Sequence, residues 1–214
     1  MEDSSINITS KKQPPTTKLA EARHTAAYYV TKPVVQLLAK TPITPNAITW
    51  FGFLLSIGAA VLIVTENLLA AGFIVLVAGL FDMLDGALAR HTNKATRFGA
   101  VLDSTLDRIT ESIFLLGVLI LYIREQSSVG ILLVCIALPS SLLVSYIRAR
   151  AEAIGLNCEV GLFTRGERVI VLALGLLLSQ IDYALISALG VIVLFSFFTV
   201  GQRLFHVWRQ TKTN

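Results

Sequence analysis

Apolar residues run in long stretches from about residue 46 to residue 205, interrupted by short polar breaks. Each stretch approaches the ~20 residues that an α-helix needs to cross the hydrocarbon core of a bilayer. The breaks predict six membrane-spanning helices, at 46–65, 68–90, 100–123, 129–151, 167–181 and 183–205. The fifth is short and is separated from the sixth only by Gln180, Asp182 and Tyr183, so the pattern alone also allows five spans.

The first 41 residues follow a different pattern. Residues 1–16 are polar without apolar periodicity, which predicts a disordered tail on the cytoplasmic side. In 17–41, apolar positions recur at roughly helical spacing between basic residues, as is typical of an amphipathic helix on a membrane surface. We therefore expect an all-α polytopic membrane protein, in which a juxtamembrane helix precedes a six-helix membrane domain over 42–210.

The composition agrees with a membrane protein. Of the 214 residues, 54% are hydrophobic and 15% are charged, against about 25% charged in globular domains. A mean hydropathy of +0.70 excludes an ordinary soluble domain, a disordered chain and a collagen-like chain. The two cysteines, Cys135 in the fourth span and Cys158 in the loop after it, have no partner at metal-binding spacing, so ordinary packing roles are expected.

The basic residues predict the orientation of the bundle. They cluster before the first span, between spans 2 and 3, between spans 4 and 5, and after the last span. The connections on the other side of the membrane contain only one basic residue, Arg124. By the positive-inside rule, both termini and the basic connections lie in the cytoplasm, and we expect a multi-pass protein of the cell membrane. The pI of about 9.2 reflects basic residues that flank the spans, where they orient the protein and contact anionic lipid. No nucleic-acid partner is therefore expected.

Four aspartates lie inside the predicted spans. Asp82 and Asp85 are three residues apart at the end of span 2, and Asp103 and Asp107 are four apart at the start of span 3, so each pair shares a helix face. The short connection makes the two helices antiparallel neighbours, so all four carboxylates converge near the cytoplasmic ends. Converging anions need neutralisation, which hard divalent cations supply. Two such ions orient a diphosphate and activate an attacking oxygen.

The residues around the aspartates favour the same chemistry. Gly86 and Gly99 let a ligand approach the helices closely, and Arg90 pairs with phosphate oxygens. The alternative is that the aspartates form ordinary ion pairs at helix ends, with Arg90, Arg97 and Arg108. Ionisable residues are costly in a membrane, and four of them in register favour the metal site.

The stretch Asp82-x2-Asp85-Gly86-x2-Ala89-Arg90-x8-Gly99-x3-Asp103-x3-Asp107 resembles the complete signature of the CDP-alcohol phosphotransferases. The resemblance implies that an alcohol hydroxyl displaces CMP from a CDP-linked lipid such as CDP-diacylglycerol. It implies that Asp82, Asp85 and Asp103 bind two magnesium or manganese ions. Asp107 would bind the second ion and act as general base on the hydroxyl. A homodimer is also implied. The residues implied to hold the CDP-lipid are Pro45, Asn46, Ala47, Ile48, Gly86, Arg90 and Thr96.

The residues around the connection between predicted spans 4 and 5 indicate the class of the acceptor alcohol. Arg148 and Arg168 bracket one loop and are placed to share an anion, which favours a phosphorylated polyol over a neutral one. The SYIRARAE run and the Glu167-Arg168 pair resemble the phosphatidylinositol-phosphate synthase branch, whose acceptor is inositol 1-phosphate. There Ser145, Arg148 and Arg168 match the acceptor-phosphate pocket, although the branch usually has Lys in place of Arg148.

Other hypotheses stay open at this point. The acceptor is alternatively glycerol 3-phosphate, and the donor lipid is ester- or ether-linked. A cation-coupled transporter would place its acids near the bilayer midplane and show inverted repeats, neither of which the sequence has. A purely structural membrane scaffold would tolerate Asp107→Asn without any catalytic loss.

Overall fold

The computed structural model describes residues 31–92 and 96–213, and the regular structure in these residues is helical. Six successive helices follow the predicted stretches closely, although the fifth ends earlier than predicted and the sixth runs further. They are α1 (Pro45–Val64), α2 (Leu68–His91), α3 (Arg97–Arg124), α4 (Ser128–Ala153), α5 (Arg165–Leu177) and α6 (Ala184–Thr213). Tyr183, at the predicted break before α6, has a positive φ of 63°, which ends the preceding turn.

Four helices in the described part of the chain, α1, α2, α4 and α6, are long and apolar enough to cross a membrane. The third helix carries Asp103, Asp107 and Glu111 within its first 15 residues, and these charges lower its hydropathy. The fifth helix has only 13 residues, or about 20 Å of helix. The chain is therefore an integral membrane protein with four candidate spans, and the count of six stays a prediction.

The described N-terminal residues pack on the bundle. The predicted tail at 1–16 and most of the predicted helix at 17–41 lie outside the described residues. Residues 31–38 are helical, and Val35 is buried with Ile48, Leu84 and Leu88. This segment is thereby attached to the ends of α1 and α2 that carry the predicted site.

The helices form a closed ring. Helix α1 packs on α2 and α3, α2 packs on α5, α5 on α6, α6 on α4, and α4 on α3. Helices α2 and α3 are not among the closely packed pairs of the described residues; each packs along α1 instead. The sequence predicted that they are direct neighbours, but they face each other across cavities that carboxylates of both helices line together with apolar side chains.

The apolar core fills the other part of the ring. A cluster that includes Phe114, Val118, Leu176 and Leu189 is almost fully buried. Below, the aspartate end is the end of the bundle that holds Asp82, Asp85, Asp103 and Asp107, and the opposite end is the one at the turns 65–67, 125–127 and 178–183.

Candidate functional site

The four predicted aspartates come together at the aspartate end. Carboxylate oxygens of Asp82, Asp103 and Asp107 all lie within 4.8 Å of one another. Asp85 is 3% exposed, and its Oδ2 atom is buried without a hydrogen-bond partner in the described residues. Three of the four carboxylates thus form one cluster, and Asp85 lines one cavity with Asp82 and another with Asp103.

Arg165, at the start of α5, is the cation that pairs with this cluster. Its Nη1 atom lies 2.6 Å from Asp82 Oδ2 and 2.7 Å from Asp107 Oδ1. Of the arginines that the sequence suggested as partners, Arg108 comes within 4.0 Å of Asp107. Arg90 and Arg97 form none of the ion pairs seen in the described residues. Sequence reasoning missed Arg165 because α5 is remote in the chain, and its position in the first turn of a span was the only signal.

A pocket of about 170 Å³ opens beside the aspartates, between the ends of α1, α2 and α3. Five of the seven residues predicted to hold the CDP-lipid line it, namely Pro45, Asn46, Gly86, Arg90 and Thr96. Asp85 and Asp103 also line it, so the pocket and the carboxylate cluster are continuous. A Cβ atom on Gly86 would meet only the Arg90 guanidinium within 4 Å, so this face of α2 is open to a ligand.

The two remaining predicted contacts, Ala47 and Ile48, do not line this pocket. Pro45, Asn46 and Thr49 share the pocket-facing side of α1 because they are separated by one and four residues. Ile48 points away from the pocket and is buried with Val35, Leu84 and Leu88.

Two threonine caps fix the rim of the pocket. The Thr44 hydroxyl accepts a hydrogen bond from the Ala47 N–H and begins α1, and the Thr96 hydroxyl accepts one from the Gly99 N–H and begins α3. A Cβ atom at Gly99 would lie 2.9 Å from Thr96 Oγ1, so a larger residue there would disturb this cap. Thr96 therefore shapes the pocket as well as lining it.

A second, small cavity of about 20 Å³ lies deeper, between α1, α2, α3 and α5. Asp82, Asp85, Asp107 and Arg165 line it, and it shares Asp85 and Thr49 with the outer pocket. The carboxylate oxygens, one of them buried without a partner, form a donor set suited to a hard cation. The Arg165 guanidinium offsets part of the negative charge of Asp82 and Asp107. The residues present therefore fit a divalent metal ion.

The arginines predicted to bind the acceptor occupy different environments. Arg168 is 1% exposed, and its Nε and Nη2 atoms donate to Glu111 at 2.5 and 2.8 Å. Arg148 is exposed and its Nε atom donates to Glu152 at 2.8 Å. Ser145 is half-buried on the same helix as Arg148.

Arg203 of α6 joins this group, although the sequence indicated only a basic flank there. It is 3% exposed and donates to the carbonyl oxygens of Val160, at 2.9 Å, and Val144. The charges of Arg148 and Arg168 both act on it. The buried thiol of Cys158 lies in the same surroundings, and burial raises its pKa, which keeps the thiol neutral.

The protein-family comparison agrees with this geometry. The sequence model of CDP-alcohol phosphatidyltransferase matches residues 42–202, which contain the carboxylate cluster, both cavities and nearly all of the described helices.

Individual relatives are similar over most of the chain. Archaetidylinositol phosphate synthase of Methanothermobacter thermautotrophicus is 37% identical over 77% of this chain and 83% of its own length. Phosphatidylinositol phosphate synthase of Mycobacterium marinum is 39% identical over 84% of this chain and 80% of its own.

Solved structures are similar as well. The crystal structure of Mycobacterium tuberculosis phosphatidylinositol phosphate synthase with CDP-DAG bound is 36% identical, covers 84% of this chain and 94% of that chain, and has a TM-score of 0.75. The structure of the same enzyme with manganese and citrate gives a TM-score of 0.74 over 83% of this chain and 88% of that chain.

Proposed function

This chain belongs to the CDP-alcohol phosphatidyltransferase family, and from that premise we propose that it transfers the phosphatidyl group of CDP-diacylglycerol to inositol 1-phosphate. The observation that carries the proposal is the continuity of the outer pocket with the carboxylate cluster, with the buried Arg168 one helix turn beyond Arg165 on α5. The relatives named for inositol phosphate products support this acceptor. Membership of a transferase family sets aside the transporter and scaffold hypotheses.

The outer pocket holds the CDP part of the donor. Arg90 offers a guanidinium to the diphosphate, and Gly86 lets that group approach the α2 backbone. Thr96 and Asn46 line the rim as polar contacts for the nucleotide. The apolar outer surfaces of α1 and α2 leave the acyl or ether-linked chains in the bilayer.

Two magnesium or manganese ions are proposed to bind Asp82, Asp85, Asp103 and Asp107. When bound, they neutralise charge on the diphosphate and on the departing CMP. The Mycobacterium tuberculosis complex with manganese supports a divalent ion at this kind of site. Arg165 holds Asp82 and Asp107 towards one another and so keeps these carboxylates in place.

Asp107 is proposed as the general base. It accepts the proton of the acceptor hydroxyl, whose oxygen forms a bond to the phosphatidyl phosphorus. The bond from that phosphorus to the CMP oxygen breaks, and CMP leaves with the bonding electrons. Arg168, Arg148 and Ser145 are proposed to hold the acceptor phosphate, and Arg203 adds positive charge beside them.

The same proposal includes the setting of the enzyme. We propose six spans, with the aspartate end and both termini in the cytoplasm of a cell membrane, a surface helix at 17–41, and a homodimer. The water-soluble acceptor then reaches the site from the cytoplasm, while the donor stays in the lipid. Cysteine labelling at the predicted loops and cross-linking in membranes test these points.

An acceptor screen tests the function. Purified protein in lipid is given CDP-diacylglycerol, Mg²⁺ or Mn²⁺, and inositol 1-phosphate, glycerol 3-phosphate or free inositol. CMP release and thin-layer identification of the lipid product are measured, with an ether-linked donor in parallel. We expect CMP release with inositol 1-phosphate and its loss on chelation of the metal. Absence of release with every acceptor would disprove the enzyme hypothesis.

A further inference from the structure

Glu111 and Arg168 form the most buried ion pair of the described residues. The side chain of Arg168 is 2% exposed and that of Glu111 10%. The carboxylate accepts from both Nε and Nη2, at 2.5 and 2.8 Å, which is the bidentate arrangement that fixes the plane of a guanidinium. Arg168 is therefore held in one orientation.

This arrangement leaves part of the guanidinium unused. A guanidinium carries five N–H donors, and the bonds to Glu111 take one on Nε and one on Nη2. The Nη1 atom is buried and has no hydrogen-bond partner in the described residues. A buried charged donor without a partner is costly. The positive charge of Arg203 nearby raises that cost further, so an anion at this edge would relieve both.

Glu111 also lies in register with the proposed base. It is one helix turn beyond Asp107 on α3, as Arg168 is one turn beyond Arg165 on α5. Asp107 pairs with Arg165 and Glu111 pairs with Arg168, so two ion pairs connect the helices at successive levels. Glu111 thereby holds the Arg168 guanidinium one helix turn beyond the Asp107–Arg165 pair.

We propose that Glu111 is a positioning residue for the acceptor: its carboxylate holds Arg168 so that the Nη1 edge binds the acceptor phosphate while the acceptor hydroxyl reaches Asp107. This inference rests on the proposed function and adds a residue that touches neither substrate.

The test is the effect of Glu111→Gln on the two Michaelis constants. Initial CMP release is measured against inositol 1-phosphate at saturating CDP-diacylglycerol, and then with the roles exchanged. We expect the acceptor KM to rise about ten- to a hundredfold, as is typical when a group that orients a ligand-binding side chain is lost. The donor KM should stay within about twofold, because the outer pocket is untouched. A similar rise in both constants, or no rise in either, would overturn the proposal.

A double variant separates positioning from a structural role. If Glu111 acts only through Arg168, Glu111→Gln adds little to the acceptor KM of Arg168→Lys, whereas two independent structural losses add. Additive effects would contradict the inference. Glu125→Gln, the same substitution at the exposed far end of α3, is the matched control.

A further variant keeps the test decisive if Glu111→Gln does not fold. Glu111→Asp retains the charge and shortens the side chain by one methylene group. The same selective rise in acceptor KM supports the proposal, and unchanged constants overturn it. A wild-type enzyme that releases CMP only with other acceptors would instead disprove the proposed function, and that result comes from the acceptor screen before any variant is made.

Discussion

The two ends of the helix bundle differ in the side chains that pack there. The aspartate end buries the charged side chains of Asp85, Glu111, Arg168 and Arg203, and Asp85 lines both of its cavities. The opposite end brings helices together through glycines: a Cβ atom on Gly175 would lie 2.6 Å from the Ala188 Cβ, and one on Gly130 would lie 2.4 Å from the Tyr122 ring. One end thus buries charged side chains, whereas close contacts between glycines and neighbouring side chains join the helices near the other.

This difference separates function from stability. Buried charges stabilise a fold little even when they are paired, because their desolvation offsets their attraction. Close packing between helices in a membrane is favourable, because small residues let backbones and side chains approach. We therefore expect changes at the aspartate end to alter turnover and binding, and changes at the opposite end to alter stability.

The largest effect is expected from Asp107→Asn. The amide cannot accept the hydroxyl proton, so kcat should fall about a thousandfold, within the range for loss of a general base. The variant should keep its thermal midpoint and its binding of the CDP-lipid, because the outer pocket is lined by other residues. CMP release and a thermal melt measure the two properties. Asp182→Asn, at the opposite end, is the matched control, and retained turnover in Asp107→Asn would remove the base assignment.

A smaller effect on binding is expected from Gly86→Val. The added side chain points at the Arg90 guanidinium, where a Cβ atom alone would lie 3.4 Å from Nη1, and fills part of the outer pocket. The donor KM should rise about tenfold, equivalent to about 1.4 kcal/mol, with an unchanged acceptor KM. Gly58→Val places the same side chain in open space on α1 and should leave both constants unchanged. An unaltered donor KM in Gly86→Val would argue against a CDP-binding role for the outer pocket.

The sequence predicts the helices and the aspartate cluster better than it predicts the charged partners of that cluster. Helix positions follow from the length of each apolar stretch, and the convergence of the aspartates follows from their three- and four-residue spacing. Local spacing does not reveal partners on remote helices: Glu111 and Arg168 are 57 residues apart. Arg203, too, has the sequence appearance of an ordinary basic flank, and only its burial distinguishes it.

The direction in which each side chain leaves the axis of α1 explains why not all of the predicted CDP contacts line the pocket. A motif over 45–48 places four successive residues around the full circumference of α1, so only some of them face the pocket. Ile48 faces the core instead, beside Leu84 and Leu88. The packing direction of a helix end depends on its neighbours, which the sequence does not specify locally.

At the opposite end, Gly175→Ala is expected to act on stability alone. The added methyl group would overlap Ala188 and approach Leu185, so α5 and α6 must separate. Overpacking of this kind costs about 1–3 kcal/mol. The thermal midpoint in detergent should fall while both Michaelis constants stay unchanged. Gly190→Ala, where nothing lies within 4 Å, is the matched control. A change in acceptor KM in Gly175→Ala would show that the two ends are coupled.

The smallest effect is expected from Arg124→Gln. Arg124 Nη1 donates to the Val64 carbonyl oxygen at 2.7 Å, which joins the last turns of α1 and α3. A cation at a helix C-terminus and its exposed hydrogen bond contribute about 0.3–1 kcal/mol, so the thermal midpoint should fall less than in Gly175→Ala. Kinetic constants should not change, because Arg124 is separated from Asp107 by about 25 Å of helix. A loss larger than that of Gly175→Ala would mean that charge, and not only close packing, holds the opposite end together.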